Sequence, residues 1–78
     1  MTFKELIEKH RDKLNMVGIS YHMYPNLTQN TAKTKLSNKL SELQVGSGKQ
    51  RILPRDEDAA RKALLSLKDD LTKFIDQE

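Results

Sequence analysis

Cysteine is absent from this chain of 78 residues, which excludes disulfides and thiolate metal sites. Histidine is scarce, and no carboxylate pattern beside His10 or His22 would complete a zinc site. We therefore expect neither a metal nor a cofactor. A chain this short buries only about 60% of the surface that its unfolded form exposes. Disulfides, a bound metal or a partner subunit commonly add the stability that such a small core lacks. With disulfides and metals excluded, self-association is the source of additional stability that remains.

Long apolar runs are also missing. The first residues, Met1 to Glu5, lack the basic stretch and the apolar segment of a signal peptide. No segment approaches the roughly 20 apolar residues that a membrane-spanning helix needs. The sequence therefore predicts a cytoplasmic protein that has no membrane partner.

The chain also lacks the spacing of catalytic groups. Ser, Asp and His residues occur, but no spacing links them into a nucleophile–base pair, and a small helical domain offers little concavity. The pair Gly48-Lys49 is not a phosphate-binding loop, because the glycine spacing fails and no Ser or Thr follows the lysine. We expect no enzyme activity and no small-molecule substrate.

Positive charge is concentrated in the middle of the chain. Residues 1–55 have a net charge of +6 and residues 56–78 a net charge of −3, and residues 25–55 contain six basic residues against Glu42 alone. A concentrated positive field attracts polyanions. The four aromatic residues form no stacking pair in this block, which argues against a platform for single-stranded nucleic acid. The alternative to polyanion binding is a basic surface that only faces solvent. The charge distribution alone does not distinguish the two.

Apolar spacing predicts four helices within a single domain, residues 1–78. The helices span about residues 2–15, 18–24, 28–43 and 55–75. Thr2 and Glu5 fit a capping box at the first helix, and Pro25 ends the second. A glycine, Gly46 or Gly48, is suited to the left-handed cap of the third helix. The loop 45–54 has two alternatives, a small β-hairpin or wing, or a disordered loop. The predicted fold class is all-α, a four-helix helix-turn-helix domain.

The third predicted helix has two unlike faces on a helical wheel. Its apolar stripe comprises Ala32, Leu36, Leu40 and Leu43. The opposite line carries short amide and hydroxyl side chains, which are Asn30, Thr31, Thr34, Ser37, Asn38 and Ser41. Lys33 and Lys35 flank this line, and Lys39 lies nearer the apolar edge, from which we expect it to snorkel outward.

Such a face suits the major groove of double-stranded DNA. Short amides and hydroxyls can reach base edges, where Asn or Gln pairs with adenine, and lysines at the shoulders meet phosphates. The face carries no acid before Glu42, which matters because phosphates would repel a carboxylate. The residues predicted to contact DNA are Gln29, Asn30, Thr31, Lys33, Thr34, Lys35, Ser37, Asn38, Lys39, Lys49 and Arg51.

One stretch, Tyr24–Leu40, reads YPNLTQNTAKTKLSNKL. It resembles the turn and recognition helix of small helix-turn-helix regulators from bacteria and their phages. It differs at the turn, where Pro25-Asn26 stands instead of the glycine that those families often have. The resemblance implies sequence-specific binding of double-stranded DNA by a transcriptional or mobile-element regulator, with a homodimer on a two-fold operator as one option.

The fourth predicted helix carries apolar residues at alternating spacings of four and three. They are Ala60, Leu64, Leu67, Leu71 and Phe74. Two heptads are too few to establish a coiled coil. The stripe therefore has three possible uses: packing in the core, homodimerisation through its last four residues, or docking to another protein. The third use defines the alternative function, a protein-interaction module that acts as an antitoxin-like protein, an adaptor or an inhibitor.

Overall fold

Four α-helices and one short β-hairpin form the regular structure of residues 1–46 and 48–77, the part of the chain that the computed structural model describes. The helices are α1 (Phe3–His10), α2 (Met16–Met23), α3 (Gln29–Leu40) and α4 (Pro54–Asp76). A 3₁₀ turn (Arg11–Lys13) lies between α1 and α2, and strands β1 (Gln44–Val45) and β2 (Gly48–Lys49) lie between α3 and α4. The predicted all-α class is confirmed.

Side chains fix the starts of the first two helices. The Thr2 hydroxyl accepts a hydrogen bond from the Glu5 amide at 3.2 Å, and the Thr2 amide donates to the Glu5 carboxylate at 3.3 Å. The predicted capping box is therefore present. The Asn15 side chain caps α2 by accepting from the Gly18 amide at 3.1 Å. Because Asn15 serves as this cap, α2 begins at Met16 rather than at Gly18. Helix α1 ends at His10 rather than near residue 15, and the 3₁₀ turn follows it.

The third helix ends at Leu40, and the chain then turns through a residue in the left-handed region. Glu42 has φ of 54°, and its amide donates to the Lys39 carbonyl at 3.3 Å. The Leu43 amide donates to the Asn38 carbonyl at 3.0 Å, which completes a Schellman motif. The predicted glycine cap is therefore wrong. The burial predicted for Leu43 is also wrong, because the turn carries this residue off the helix and leaves it 45% exposed.

A β-hairpin follows this turn. Its strands are antiparallel, with Gln44 opposite Lys49. Gly46 has φ of 59°, a conformation that glycine adopts without strain. Ser47, which belongs to the predicted loop, lies outside the described residues. Of the two alternatives for residues 45–54, the short hairpin is the one observed.

The core lies between α1, α2, α3 and the first part of α4. Its buried apolar residues are Phe3, Ile7, Ile19, Met23, Ala32, Leu36, Leu40 and Ala60. Helix α2 occupies the centre and packs against both α3 and α4. Ile52, just after the hairpin, packs against this core.

Helix α4 extends well beyond the core. Its 23 residues span about 34 Å at 1.5 Å per residue, in a molecule whose longest dimension is 53 Å. Ala60 is buried and Leu64 is half-buried. Leu67, Leu71 and Phe74 are 40%, 45% and 69% exposed, because the other helices cover only the first part of α4. The prediction that these three residues pack in the core is therefore wrong.

Candidate nucleic-acid interface

The outer side of α3 stands in solvent, as the wheel predicted. Ala32 and Leu36 are 0% and 1% exposed, so they define the inner side. The α3 polar face consists of Asn30, Thr31, Thr34, Ser37 and Asn38, of which Asn38 is half-buried and the others are exposed. Gln29, Lys33 and Lys35 are exposed as well. The helix contains no acid, whereas α1 and α4 carry acidic residues in their first turns.

Several side chains of the α3 polar face are available to a ligand. Among the described residues, the side chains of Asn30, Thr34 and Asn38 form no hydrogen bond with the protein. The Thr31 hydroxyl accepts a hydrogen bond from the Thr28 hydroxyl at 2.9 Å. Thr28 also caps α3 by accepting from the Thr31 amide at 3.2 Å. The start of the helix is therefore fixed, while the side chains of Asn30 and Asn38 keep their donors and acceptors.

Lys35 is held at the edge of this face by the turn before α3. Its ammonium group lies 4.5 Å from the centroid of the Tyr24 ring, a cation–π contact. The Tyr24 hydroxyl donates to the Asp56 carboxylate at 2.7 Å, so the ring itself is fixed. Burial, followed by that hydrogen bond, raises the pKa of Tyr24 above its ordinary value. The sequence analysis placed Lys35 correctly on the outside but did not identify its aromatic partner.

Lys39 does not belong to the interface. It is 8% exposed, and its ammonium group lies 2.8 Å from the Asp56 carboxylate of α4. Burial acts to raise the pKa of this carboxyl, but hydrogen bonds from Lys39, Tyr24 and the Leu53 amide outweigh it and leave the pKa below its ordinary value. The prediction that Lys39 snorkels outward to DNA is wrong, because its position near the apolar edge faces a buried carboxylate on the neighbouring helix.

The hairpin contributes a residue that the sequence analysis did not select. Gln50 follows β2, and its amide donates to the Leu43 carbonyl at 2.8 Å, which continues the strand pairing. Its half-buried side chain lines a shallow groove beside α3. The other lining residues are Asn30, Thr31, Thr34, Lys35 and Asn38. No sequence signal marks Gln50, because its place beside α3 depends on the turn at Glu42.

Two predicted basic contacts, Lys49 and Arg51, lie on either side of Gln50. Both are exposed. The Lys49 ammonium lies 4.0 Å from the Glu42 carboxylate, which also pairs with Lys4 of α1 at 3.3 Å. Glu42 therefore offsets part of the charge of Lys49, while Arg51 adds a cation outside the groove that Gln50 lines.

Helix α1 borders the other side of the α3 polar face. A second groove runs between α1 and the last turns of α3, where it reaches Ser37 and Asn38. This groove is also lined by Lys4 and the acid Glu8 of α1 and by Arg11 of the 3₁₀ turn. The sequence analysis missed these cations, since α1 and α3 meet only in the tertiary structure.

A third groove, between α1 and α4, is apolar. Its apolar lining residues are Leu6, Leu14, Leu64, Leu67, Leu71 and Ile75. Three of the four residues predicted for dimerisation therefore line one surface. Phe74 is exposed but is not part of this lining.

No protein-family model, curated protein or solved structure matches this chain. Within residues 1–46 and 48–77, no helix combines the length and the apolar character needed to cross a bilayer. The same residues contain no group of three or more His, Cys, Asp or Glu side chains that could hold a metal ion. Function is therefore inferred from the geometry and charge of the surfaces described above.

Proposed function

We propose that this chain binds double-stranded DNA through the α3 polar face. Helix α2, the turn at Pro25-Asn26 and α3 would act as a helix-turn-helix, and the hairpin as a wing. The observation that carries the proposal is the exposed, acid-free outer side of α3, where Lys33 and Lys35 flank short amide and hydroxyl side chains. Among the described residues, those of Asn30, Thr34 and Asn38 form no hydrogen bond with the protein. In keeping with the resemblance of Tyr24–Leu40, the DNA-binding protein would regulate transcription or a mobile element.

Cations from other elements support this proposal. Lys4 of α1 and Arg11 of the 3₁₀ turn lie beside one end of the α3 polar face. The exposed Lys49 and Arg51 precede and follow Gln50 in the sequence. The phosphate backbones of DNA run along both edges of the major groove, so a helix placed in the groove needs positive charge on both sides. These cations, added to Lys33 and Lys35 of α3, would supply that charge.

A homodimer is part of the proposal. Leu67 and Leu71 line an apolar groove that residues 1–46 and 48–77 leave open, and the core is small. A second copy that covers this groove would bury these leucines and would add the stability that a short chain needs. Two-fold symmetric pairs of recognition helices read half-sites about one helical turn of DNA apart.

The test is a salt titration of binding to random duplex DNA, followed by fluorescence anisotropy. We expect the affinity to fall steeply with salt, because bound lysines displace counterions. Lys33→Ala and Lys35→Ala should each lower the affinity for all sequences and reduce the salt slope by about 1. Lys62→Ala makes the same charge change at an exposed position of α4 and should alter neither quantity. Absent binding, or an equal effect of all three substitutions, contradicts the proposal.

A second candidate function is docking to another protein through the apolar groove between α1 and α4. The exposure of Leu67 and Leu71 favours it, and the protein would then act as an antitoxin-like protein, an adaptor or an inhibitor. Such binding would depend only weakly on salt, because apolar contacts are not screened. Leu71→Ser would abolish it and Lys33→Ala would leave it unchanged, whereas Lys33→Ala should weaken binding to DNA.

A further inference from the structure

We infer that Gln50 is a specificity-determining residue and that, together with Asn38, it recognises adenine in the major groove. The inference rests on the proposed function and deepens it, since it names a base that the interface would read. Its starting point is the shallow groove that Gln50 shares with the α3 polar face. The groove joins the hairpin to the helix, so a base edge lying on α3 would also meet Gln50.

The backbone holds Gln50 in register with α3. The Gln50 amide donates to the Leu43 carbonyl at 2.8 Å, and the Leu43 amide donates to the Asn38 carbonyl at 3.0 Å. Two consecutive hydrogen bonds through one residue therefore connect the backbones of the two amide residues. The backbone of Gln50 is thereby fixed beside α3 before binding, so that only its side chain is left to be ordered, which favours affinity and specificity.

The two side chains also have the chemistry that adenine requires. Both are half-buried, and among the described residues neither forms a side-chain hydrogen bond with the protein. A primary amide presents one donor edge and one acceptor. This pattern is complementary to N7 and N6 of adenine, which accept and donate in the major groove.

The remaining lining of the groove fits a base edge better than a phosphate. Asn30, Thr31 and Thr34 are neutral and short, and Lys35 is the one cation among the six lining residues. No acid is among them. Amides and hydroxyls contact phosphates as well as bases, but a groove with a single cation has little of the positive charge that attracts a phosphate, and its short neutral side chains can reach base edges.

The experiment is selection of duplexes from a randomised oligonucleotide library. The wild-type protein should enrich a motif that contains adenine, and Gln50→Ala and Asn38→Ala should lose discrimination by about tenfold or more at neighbouring base pairs. Gln50→Glu keeps the side-chain length and the backbone hydrogen bond. It should shift the preference at its own position from adenine towards cytosine, whose N4 amino group donates to a carboxylate.

Lys49→Ala is the matched control from the adjacent position. It should lower the affinity and the salt slope without changing the motif. A Gln50→Ala protein that selects the wild-type motif with wild-type strength overturns the inference and leaves DNA binding intact, as does a wild-type protein that binds duplexes without enriching any motif. If the wild-type protein does not bind duplex DNA at all, the proposed function fails and the inference fails with it. Circular dichroism verifies folding, and Gln50→Glu serves if Gln50→Ala does not fold.

Discussion

The ammonium group of Lys39 in α3 lies 2.8 Å from the carboxylate of Asp56 in α4, and the two side chains are only 10% and 3% exposed. The same carboxylate accepts hydrogen bonds from the Tyr24 hydroxyl at 2.7 Å and from the Leu53 amide at 2.9 Å. One buried charge therefore joins the end of α2, the last turn of α3 and the start of α4. Because the Tyr24 ring also lies beneath Lys35, the network reaches from the core to the edge of the proposed interface.

Removing this carboxylate should destabilise the fold strongly. Asp56→Ala leaves the Lys39 ammonium buried without a partner, and breaking such a pair costs about 3–5 kcal/mol. That is a large part of the stability expected for a domain of this size. Thermal unfolding followed by circular dichroism measures the change. Asp58→Ala removes an exposed carboxylate from the same helical turn and should change the free energy of unfolding by no more than about 0.5 kcal/mol.

The double variant Lys39→Met, Asp56→Ala should recover much of the lost stability, because no unpaired charge remains buried. If Asp56→Ala and Asp58→Ala melt at the same temperature, the network does not stabilise the fold as described.

Acid should weaken the fold partly through Asp56. Its pKa in the folded state is lowered from the ordinary 3.8, so the unfolded chain binds this proton more readily. The stabilisation is fully present above the unfolded-state pKa and is lost as the pH falls through the lower folded-state pKa. Urea unfolding measured from neutral pH into this acid range should therefore show a falling free energy of unfolding.

The double variant Lys39→Met, Asp56→Ala isolates the contribution of Asp56 to this decline and should show a shallower one. Hydrogen bonds from Thr2 also lower the pKa of Glu5, but Glu5 is present in both proteins and does not affect the comparison. Identical acid dependence in the two proteins would contradict the assignment.

At position 42, glycine should be more stable than alanine by about 1 kcal/mol. Glu42 has φ of 54°, where a Cβ destabilises the folded state by roughly 1–2 kcal/mol. The greater conformational freedom of glycine in the unfolded chain opposes this effect and reduces the expected difference. Both substitutions remove the carboxylate that pairs with Lys4 and Lys49, so they differ only in the Cβ. Urea unfolding of Glu42→Gly and Glu42→Ala gives the difference. An alanine variant of equal or greater stability would show that this left-handed turn does not persist in solution.

The proposed homodimer should depend on the apolar groove between α1 and α4. Leu71→Ser replaces a groove residue that is 45% exposed, so it should dissociate the dimer with little effect on the core. Sedimentation velocity measures the change in mass. Leu65→Ser is the matched control, because Leu65 is 55% exposed but does not line the groove. If the wild type and both variants all sediment as monomers, the homodimer is contradicted.

The helix number and the two sides of α3 could be predicted from the sequence. Ala32 and Leu36 are buried, and Thr34 and Lys33 are exposed, as the wheel required. Both results depend on the fixed rotation of 100° per residue within one helix, which needs no knowledge of neighbouring elements.

Other positions could not be predicted in this way. The burial of Lys39 follows from Asp56 on another helix, and the place of Gln50 follows from the turn at Glu42. The exposure of Leu71 follows from how little of α4 the other helices cover. The positions of Lys39 and Gln50 depend on contacts between different elements of the chain. The exposure of Leu71 depends on the lack of such a contact among the described residues.

Local spacing and capping by themselves determined that this chain forms four helices and that α3 turns an acid-free polar side outward, since short-range sterics and hydrogen bonds act between residues near each other in sequence. Only the tertiary structure decided which cation is buried, which amide joins α3 from the hairpin and which apolar stripe is left uncovered. These outcomes depend on packing between elements far apart in sequence, where the energy of a residue is set by its partner rather than by its own type.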